Sequence, residues 1–152
     1  MLYKSELRTP IGTLGLLANK EQLLKLTFKG LKDITEEAQE DKSRFKLIFR
    51  ELNEYFAGKR EQFSVDYLID TSPFATRVYK EMIKIPYGST LSYSELAQKS
   101  GNKLAYRAVA TACGKNPLPL IIPCHRVTAV NSLGGFGGGL DTKRFLLNLE
   151  TN

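Results

Sequence analysis

The residues best suited to chemistry stand together at Pro123-Cys124-His125-Arg126, directly after the apolar run Leu120-Ile121-Ile122. A thiol attacks as its thiolate, and a neighbouring base or fixed cation raises the thiolate fraction near neutral pH. Here a soft nucleophile, the only histidine of the chain and a guanidinium occupy consecutive positions. The competing reading is a buried cysteine beside a surface histidine and arginine, because free cysteine is often a core residue. A second signal is Glu150, near the end of the last predicted helix, where the macrodipole disfavours a carboxylate. A terminal Glu is usually just solvated, but this one is a candidate partner for a histidine.

Size and composition bound what can surround these groups. At 152 residues, with 42% hydrophobic and 25% charged residues, the chain has room for one ordinary domain or two small ones. No apolar run approaches the ~20 residues a membrane helix needs. Met1 to Glu6 lacks the charged-then-apolar layout of a signal peptide, so the expected location is cytoplasmic, with no membrane partner. The two cysteines, Cys113 and Cys124, form no disulfide framework, and with one histidine they fall short of a four-ligand zinc site. No metal and no cofactor are expected. A formal charge of +6 and a pI near 9.3 favour an acidic partner, nucleic acid being the commonest.

The elements that must position the thiol fall in two parts. Leu2–Leu7, Thr13–Ala18 and Leu23–Phe28 read as an antiparallel meander around turns at Thr9–Gly12 and Asn19–Gln22. Residues 29–42 are charged and aperiodic and read as a solvated loop. Phe45, Ile48, Phe49, Leu52, Tyr55 and Phe56 recur at helical spacing and predict a helix from Ser43 that covers the sheet. Gly58 ends it, and Gln62–Ile69 reads as a further strand or extended linker. The boundary is placed at Asp70–Pro73, giving domains 1–70 and 71–152. Ser72 and Pro73 start a helix with Phe74, Val78, Met82 and Ile83 inward. Ser92 and Glu95 form a capping-box pattern for a short helix to Lys99, and after Gly101-Asn102 a second helix runs over Lys103–Cys113. Two short helices across a glycine turn suggest a helix-turn-helix. The small residues Ala105, Ala108 and Ala110 around Arg107 let that second helix approach another surface, whether DNA or the core. Val127–Leu133 reads as a hairpin or wing. The run Gly134-Gly135-Phe136-Gly137-Gly138-Gly139 matches neither a Walker loop nor a dinucleotide fingerprint. Asp141 is the expected cap of a last helix whose apolar positions include Phe145, Leu146 and Leu149.

The stretch Asn116-Pro117-Leu118-Pro119-Leu120-Ile121-Ile122-Pro123-Cys124-His125-Arg126-Val127 resembles the active-site signature of the O6-alkylguanine-DNA alkyltransferases. Ser92-Tyr93, Tyr106-Arg107-Ala108-Val109 and the glycine-rich loop up to Glu150 follow in the order and approximate spacing of that family. The resemblance is strong over residues 72–150 and weaker before them. It implies an α+β protein: a small N-terminal antiparallel sheet with a helix, ribonuclease H-like, then a winged helix-turn-helix-like domain. It also implies a monomer that sits on the minor groove of double-stranded DNA, flips O6-alkylguanine out of the stack and takes the alkyl group irreversibly. O4-alkylthymine is a further candidate substrate.

Carried over residue by residue, the resemblance makes Cys124 the alkyl acceptor and His125 its base through a bound water, oriented by Glu150. Asn116 would hold the surrounding loop, and Tyr93 would donate to the guanine ring. Arg107 would fill the space the base leaves, with Ala105 and Ala108 on the same DNA-facing helix. The carbonyls of Cys124 and Val127 would accept from the exocyclic amine, while Phe136 and Gly137 wall the pocket. Many relatives have a tyrosine and a serine where this chain has Phe136 and Gly137, which removes two hydroxyls. Some bind zinc through N-terminal Cys and His, and this chain has neither before Cys113. Cys113 is read as a buried helix residue, and Arg126 receives no catalytic role. A binding module that recognises damage without repairing it is disfavoured by the intact Cys124. A thiol hydrolase is disfavoured because no oxyanion device is evident. A purely structural helix-turn-helix leaves the polar cluster unexplained.

Overall fold

The turn at Thr9–Gly12 joins β1 (Tyr3–Thr9) and β2 (Gly12–Ala18) in a hairpin, paired from Tyr3↔Ala18 to Thr9↔Gly12. β3 (Leu23–Thr27) adds antiparallel to β2, with a register irregularity at Leu17/Ala18. β2 is buried on both faces from Leu14 to Ala18, which explains its unbroken apolar run. One of those faces carries Gly15, where a Cβ would overlap the Gly30 carbonyl. Only glycine lets that turn lie against the strand. The computed structural model describes all 152 residues, and they divide into two compact units, Met1–Ile69 and Asp70–Asn152.

The segment expected to be a solvated loop is more ordered than its charge suggested. A 3-10 turn spans Gly30–Asp33, Ile34 is buried, and β4 (Gln39–Glu40) pairs parallel to β1, giving the order β3-β2-β1-β4. Its order comes from interactions that periodicity does not register. Glu6 accepts from Leu31 N–H at 2.8 Å, and Lys25 pairs with Glu36 at 2.8 Å. After a 3-10 turn capped by Asp41, α1 (Lys46–Phe56) buries Ile48, Leu52 and Tyr55 on the predicted face. Glu51 is fully buried on the same helix and gathers Ser64 N–H, Ser64 O–H, Val65 N–H and Arg60. Those bonds pin the 62–69 segment, which pairs with the sheet at one parallel bridge, between Leu23 and Tyr67. It is an extended connection, with no ladder of its own.

In the second unit, α2 (Pro73–Ile83) starts at Ser72, whose hydroxyl accepts from Ala75 N–H. It buries Val78, Tyr79 and Met82, whereas Phe74 and Ile83 are only half-buried. β5 (Leu91–Ser92) leads into α3 (Tyr93–Lys99) with the full capping box of Ser92 and Glu95. α4 (Tyr106–Gly114) starts three residues later than expected, because Asn102 folds the preceding residues into a turn by accepting from Leu104 N–H. Val127–Leu133 is no independent hairpin. β6 (Val127–Thr128) pairs parallel to β5, leaving one bridge between Ala129 and Ser132. α5 (Leu140–Thr151) begins after Gly139, at φ +93°, with no side-chain cap; Asp141 lies in its first turn and pairs with Arg144. The buried face of α5 is Lys143, Leu146 and Glu150, while Phe145 is exposed. No helix is long and apolar enough to cross a membrane.

Candidate active site

Delivery of Cys124 begins at the end of α4. The Asn116 amide donates to the Ile122 carbonyl at 2.7 Å and accepts from Leu118 N–H at 2.9 Å, which ties the prolines between them into a closed loop. Within it Leu120 takes φ +76°, a conformation disfavoured for a residue with a Cβ and kept because its neighbours fix it. Ile122 and Leu118 are fully buried and anchor the loop in the core. Pro123 then leads into a short 3-10 turn, Cys124–Arg126.

That turn sends Cys124 to the pocket wall and sends His125 and Arg126 to one shared carboxylate, Glu150. His125 is completely buried and its Nε2 lies 2.6 Å from Glu150 Oε2. Arg126 donates Nε to Glu150 Oε1 at 2.8 Å, Nη2 to Oε2 at 3.0 Å, and Nη1 to the Ile85 carbonyl at 2.8 Å. Gly88 N–H adds a longer bond to the same carboxylate. One carboxylate thus serves both a guanidinium and an imidazole, which explains its burial at a helix C-terminus.

The charges set the state of the histidine. Burial holds its pKa below the usual imidazole value, Glu150 opposes this, and the Arg126 and Lys143 cations reinforce it. A neutral imidazole that donates Nε2–H to Glu150 keeps a bare lone pair on Nδ1. Nδ1 is buried with no protein partner. The site therefore holds one unused proton acceptor.

Cys124 is 7% exposed, and burial pushes its thiol up to about 11. A hydrogen bond with the Asn116 side chain and the charge of Lys143 work in the opposite direction. It is a thiol at rest, so a proton must leave before or during attack. Its surroundings form a pocket of about 320 Å³ lined by Tyr93, Ala110, Cys113, Gly114, Cys124, Gly135, Phe136 and Gly137. Tyr93, at the start of α3, has its pKa raised by burial and so keeps its proton as a donor; Gly135 gives it a backbone hydrogen bond. Gly134 sits at φ +73°, and a Cβ there would strike the Tyr93 ring.

Lys143 was not singled out from the sequence. Its ammonium spends all three protons on the carbonyls of Val127, Leu133 and Gly135, at 2.6, 2.5 and 3.1 Å. It ties the glycine-rich loop to the strand that follows Cys124. The Val127 carbonyl, expected to meet the exocyclic amine, already accepts this bond and has one lone pair left. The available signal was position: Lys143 lies three residues before Leu146 and seven before Glu150 on one helix face. Arg126 shows no partner along the chain, because Glu150 lies 24 residues away. Cys113, expected to be buried, is partly exposed and lines the pocket.

Arg107, Ala105 and Ala108 are outside the pocket wall. Arg107 and Ala108 lie on the exposed face of α4, with Ala105 just before its first turn. The Arg107 guanidinium lies 5.9 Å from the Tyr106 ring centre. No Asp or Glu occurs between Glu95 and Asp141, and Lys99, Lys103, Arg107 and Lys115 are all exposed there. A basic helix face of small side chains thus adjoins the pocket through Ala110 and Gly114.

A sheet-and-helix unit followed by a helical unit with a buried Cys, His and Glu defines a class of alkyl transferases in which a cysteine thiol is the acceptor. The chain belongs to the 6-O-methylguanine DNA methyltransferase family: residues 2–67 match its ribonuclease-like domain and residues 73–152 its DNA binding domain. It is 41% identical over 155 residues to the methylated-DNA–protein-cysteine methyltransferase of Methanosarcina barkeri, covering 99% of this chain and 98% of that one. The crystal structure of the Mycobacterium tuberculosis O6-methylguanine methyltransferase superposes with TM-score 0.90 at 38% identity, covering 99% and 93% of the two chains. The M. tuberculosis OGT in complex with DNA gives TM-score 0.92 at 38% identity, covering 98% and 92%.

Proposed function

We propose that the protein repairs DNA by transferring the alkyl group of O6-alkylguanine directly and irreversibly to Cys124. The observation that carries this reading is the pocket lined by Cys124 and Tyr93, with His125, held by Glu150, the next residue along the same turn. His125 Nδ1 takes the thiol proton, directly or through a water, and Glu150 stabilises the imidazolium that forms. The thiolate sulfur attacks the sp3 carbon bound to O6; the S–C bond forms as the C–O bond breaks. Negative charge develops on guanine, and the Tyr93 hydroxyl donates to the ring as it leaves. The product is a thioether with no easy hydrolytic route back, so each molecule acts once.

The exposed face of α4 suits the minor groove of duplex DNA, where Ala108 and Ala105 permit close approach and Arg107 fills the space of an extruded base. Extrusion is required because a stacked base cannot reach a pocket, at a cost of a few kcal/mol. The protein works in this reading as a cytoplasmic monomer, with O4-alkylthymine as a second substrate. Incubation with duplex DNA carrying O6-methylguanine should add one methylene per protein, located on the Cys124 peptide and absent from Cys124→Ala. Repeated turnover, or tight binding with no mass gain, would refute it.

A further inference from the structure

Cys113 is the reactive group of the pocket that the proposed transfer leaves unused. On α4, Ala110, Cys113 and Gly114 follow at steps of three and four residues, so they share the helix face that lines the pocket. Cys124 lines the same space. The two sulfurs also share neighbours: negative charge on either raises the Tyr79 and Tyr93 phenols and the Lys143 ammonium. Two soft nucleophiles facing one cavity can both bond to a group held in it.

We propose that Cys113 is a second nucleophile of this pocket, closing an ethylene bridge to Cys124 when the transferred alkyl group carries a leaving group on its second carbon. The proposal rests on alkyl transfer to Cys124 and extends it to bifunctional adducts such as O6-(2-chloroethyl)guanine. Transfer first forms a Cys124 chloroethyl thioether, with guanine as leaving group. The second carbon then loses chloride, either to direct attack by Cys113 or after the Cys124 sulfur closes a three-membered episulfonium ring that Cys113 opens. One S–C bond forms, one C–Cl bond breaks, and the Cys113 proton leaves with chloride as the net loss of hydrogen chloride. Nothing is oxidised or reduced.

The order of events follows from the electrostatics. Burial holds the Cys113 thiol up at about 12, and it lacks the Asn116 hydrogen bond and the adjacent His125 that favour Cys124 as the first acceptor. Lys143 lowers the Cys113 value and stays in place once Cys124 is a thioether. The bridge removes the halide before the half-reacted thioether can alkylate DNA.

The test uses the full-length protein and freshly prepared duplex DNA carrying O6-(2-chloroethyl)guanine, with an O6-methylguanine duplex run alongside. Wild-type protein should gain an ethylene and lose two hydrogens, with no chlorine retained. Tryptic peptides 108–115 and 116–126 should then appear as a covalent pair that survives reductant. Among molecules alkylated at Cys124, Cys113→Ser and Cys113→Ala should instead carry a hydroxyethyl or DNA-linked thioether. Wild type giving only those products, with no bridged pair, overturns the proposal. So does wild type that accepts methyl but leaves Cys124 unmodified by the chloroethyl duplex. Wild type that fails to take methyl overturns alkyl transfer itself, and this inference with it.

Discussion

At the scale of single residues, the site turns on how one carboxylate is shared. Glu150 receives His125 and both nitrogens of an Arg126 fork, all buried. Glu150→Gln would leave the guanidinium buried without a counter-charge, a loss of about 3–5 kcal/mol by comparison with other broken buried pairs. It would also remove the acceptor that fixes the histidine tautomer. The expected result is a lower urea midpoint together with transfer slowed roughly a hundred-fold, measured per folded molecule. A stability loss with an unchanged rate would reject the orienting role of Glu150 while keeping its structural one.

At the scale of elements, α5 and α4 divide the work. α5 contributes two of the three buried charges that hold the site together, Lys143 at its start and Glu150 at its end, and the Cys124 turn contributes the third, Arg126. Lys143→Met keeps the length of the side chain but frees three carbonyls and removes a cation that lowers the Cys124 pKa. Unfolding free energy should fall by about 3 kcal/mol. The thiol titration of Cys124, followed by iodoacetamide labelling against pH, should move upward; an unmoved titration would show that the lysine acts only as a tie. α4 carries the DNA-facing candidates on the surface opposite its buried Val109 and Ala112. Arg107→Ala should impair repair of duplex DNA more than reaction with a free O6-benzylguanine base, because only the duplex must be opened. Equal losses on both substrates would count against a role in base extrusion.

At the scale of the whole molecule, charge and proton binding are uneven. Residues 70–152 hold ten of the 22 Lys and Arg but only five of the 16 Asp and Glu, so most of the +6 surplus sits in the unit with the pocket. Stability should show a plateau in pH bounded by buried groups. The His125 pKa is lowered from 6.5, so the unfolded chain binds that proton more readily and stability is lost as pH falls below 6.5. The Cys124 and Cys113 thiols are raised from 9.0 to about 11 and about 12, so their contribution is complete below 9.0 and is lost as pH rises above it. The Cys124 part alone is worth about 3 kcal/mol. Tyr79, raised to about 12, adds to the alkaline loss, whereas Lys143, lowered by burial, runs against it. Urea midpoints across the pH range should therefore fall on both sides of a window from about 6.5 to 9. A maximum near the pI would contradict these assignments.

The sequence alone determined what depends on neighbours along the chain. Turn residues between apolar stretches placed β1 to β3, the Ser72 and Ser92 caps placed α2 and α3, and the run through Pro123-Cys124-His125 identified the reactive turn. These are local signals, carried by spacing, capping and turn residues. The tertiary structure decided the rest, because it depends on partners far apart in the chain. β4 is ordered by pairing with a strand more than thirty residues earlier, and β6 joins β5 instead of folding back on itself. A charged residue on an amphipathic helix reads as solvent-facing unless its partner is known, which is why Lys143 went unnoticed and Arg126 lacked a role. Their burial is tolerated only because three carbonyls and one carboxylate converge on them. Cys113 read as a core residue because burial is the usual fate of a free cysteine. Only the tertiary fold placed Cys113 and Cys124 on the wall of one pocket.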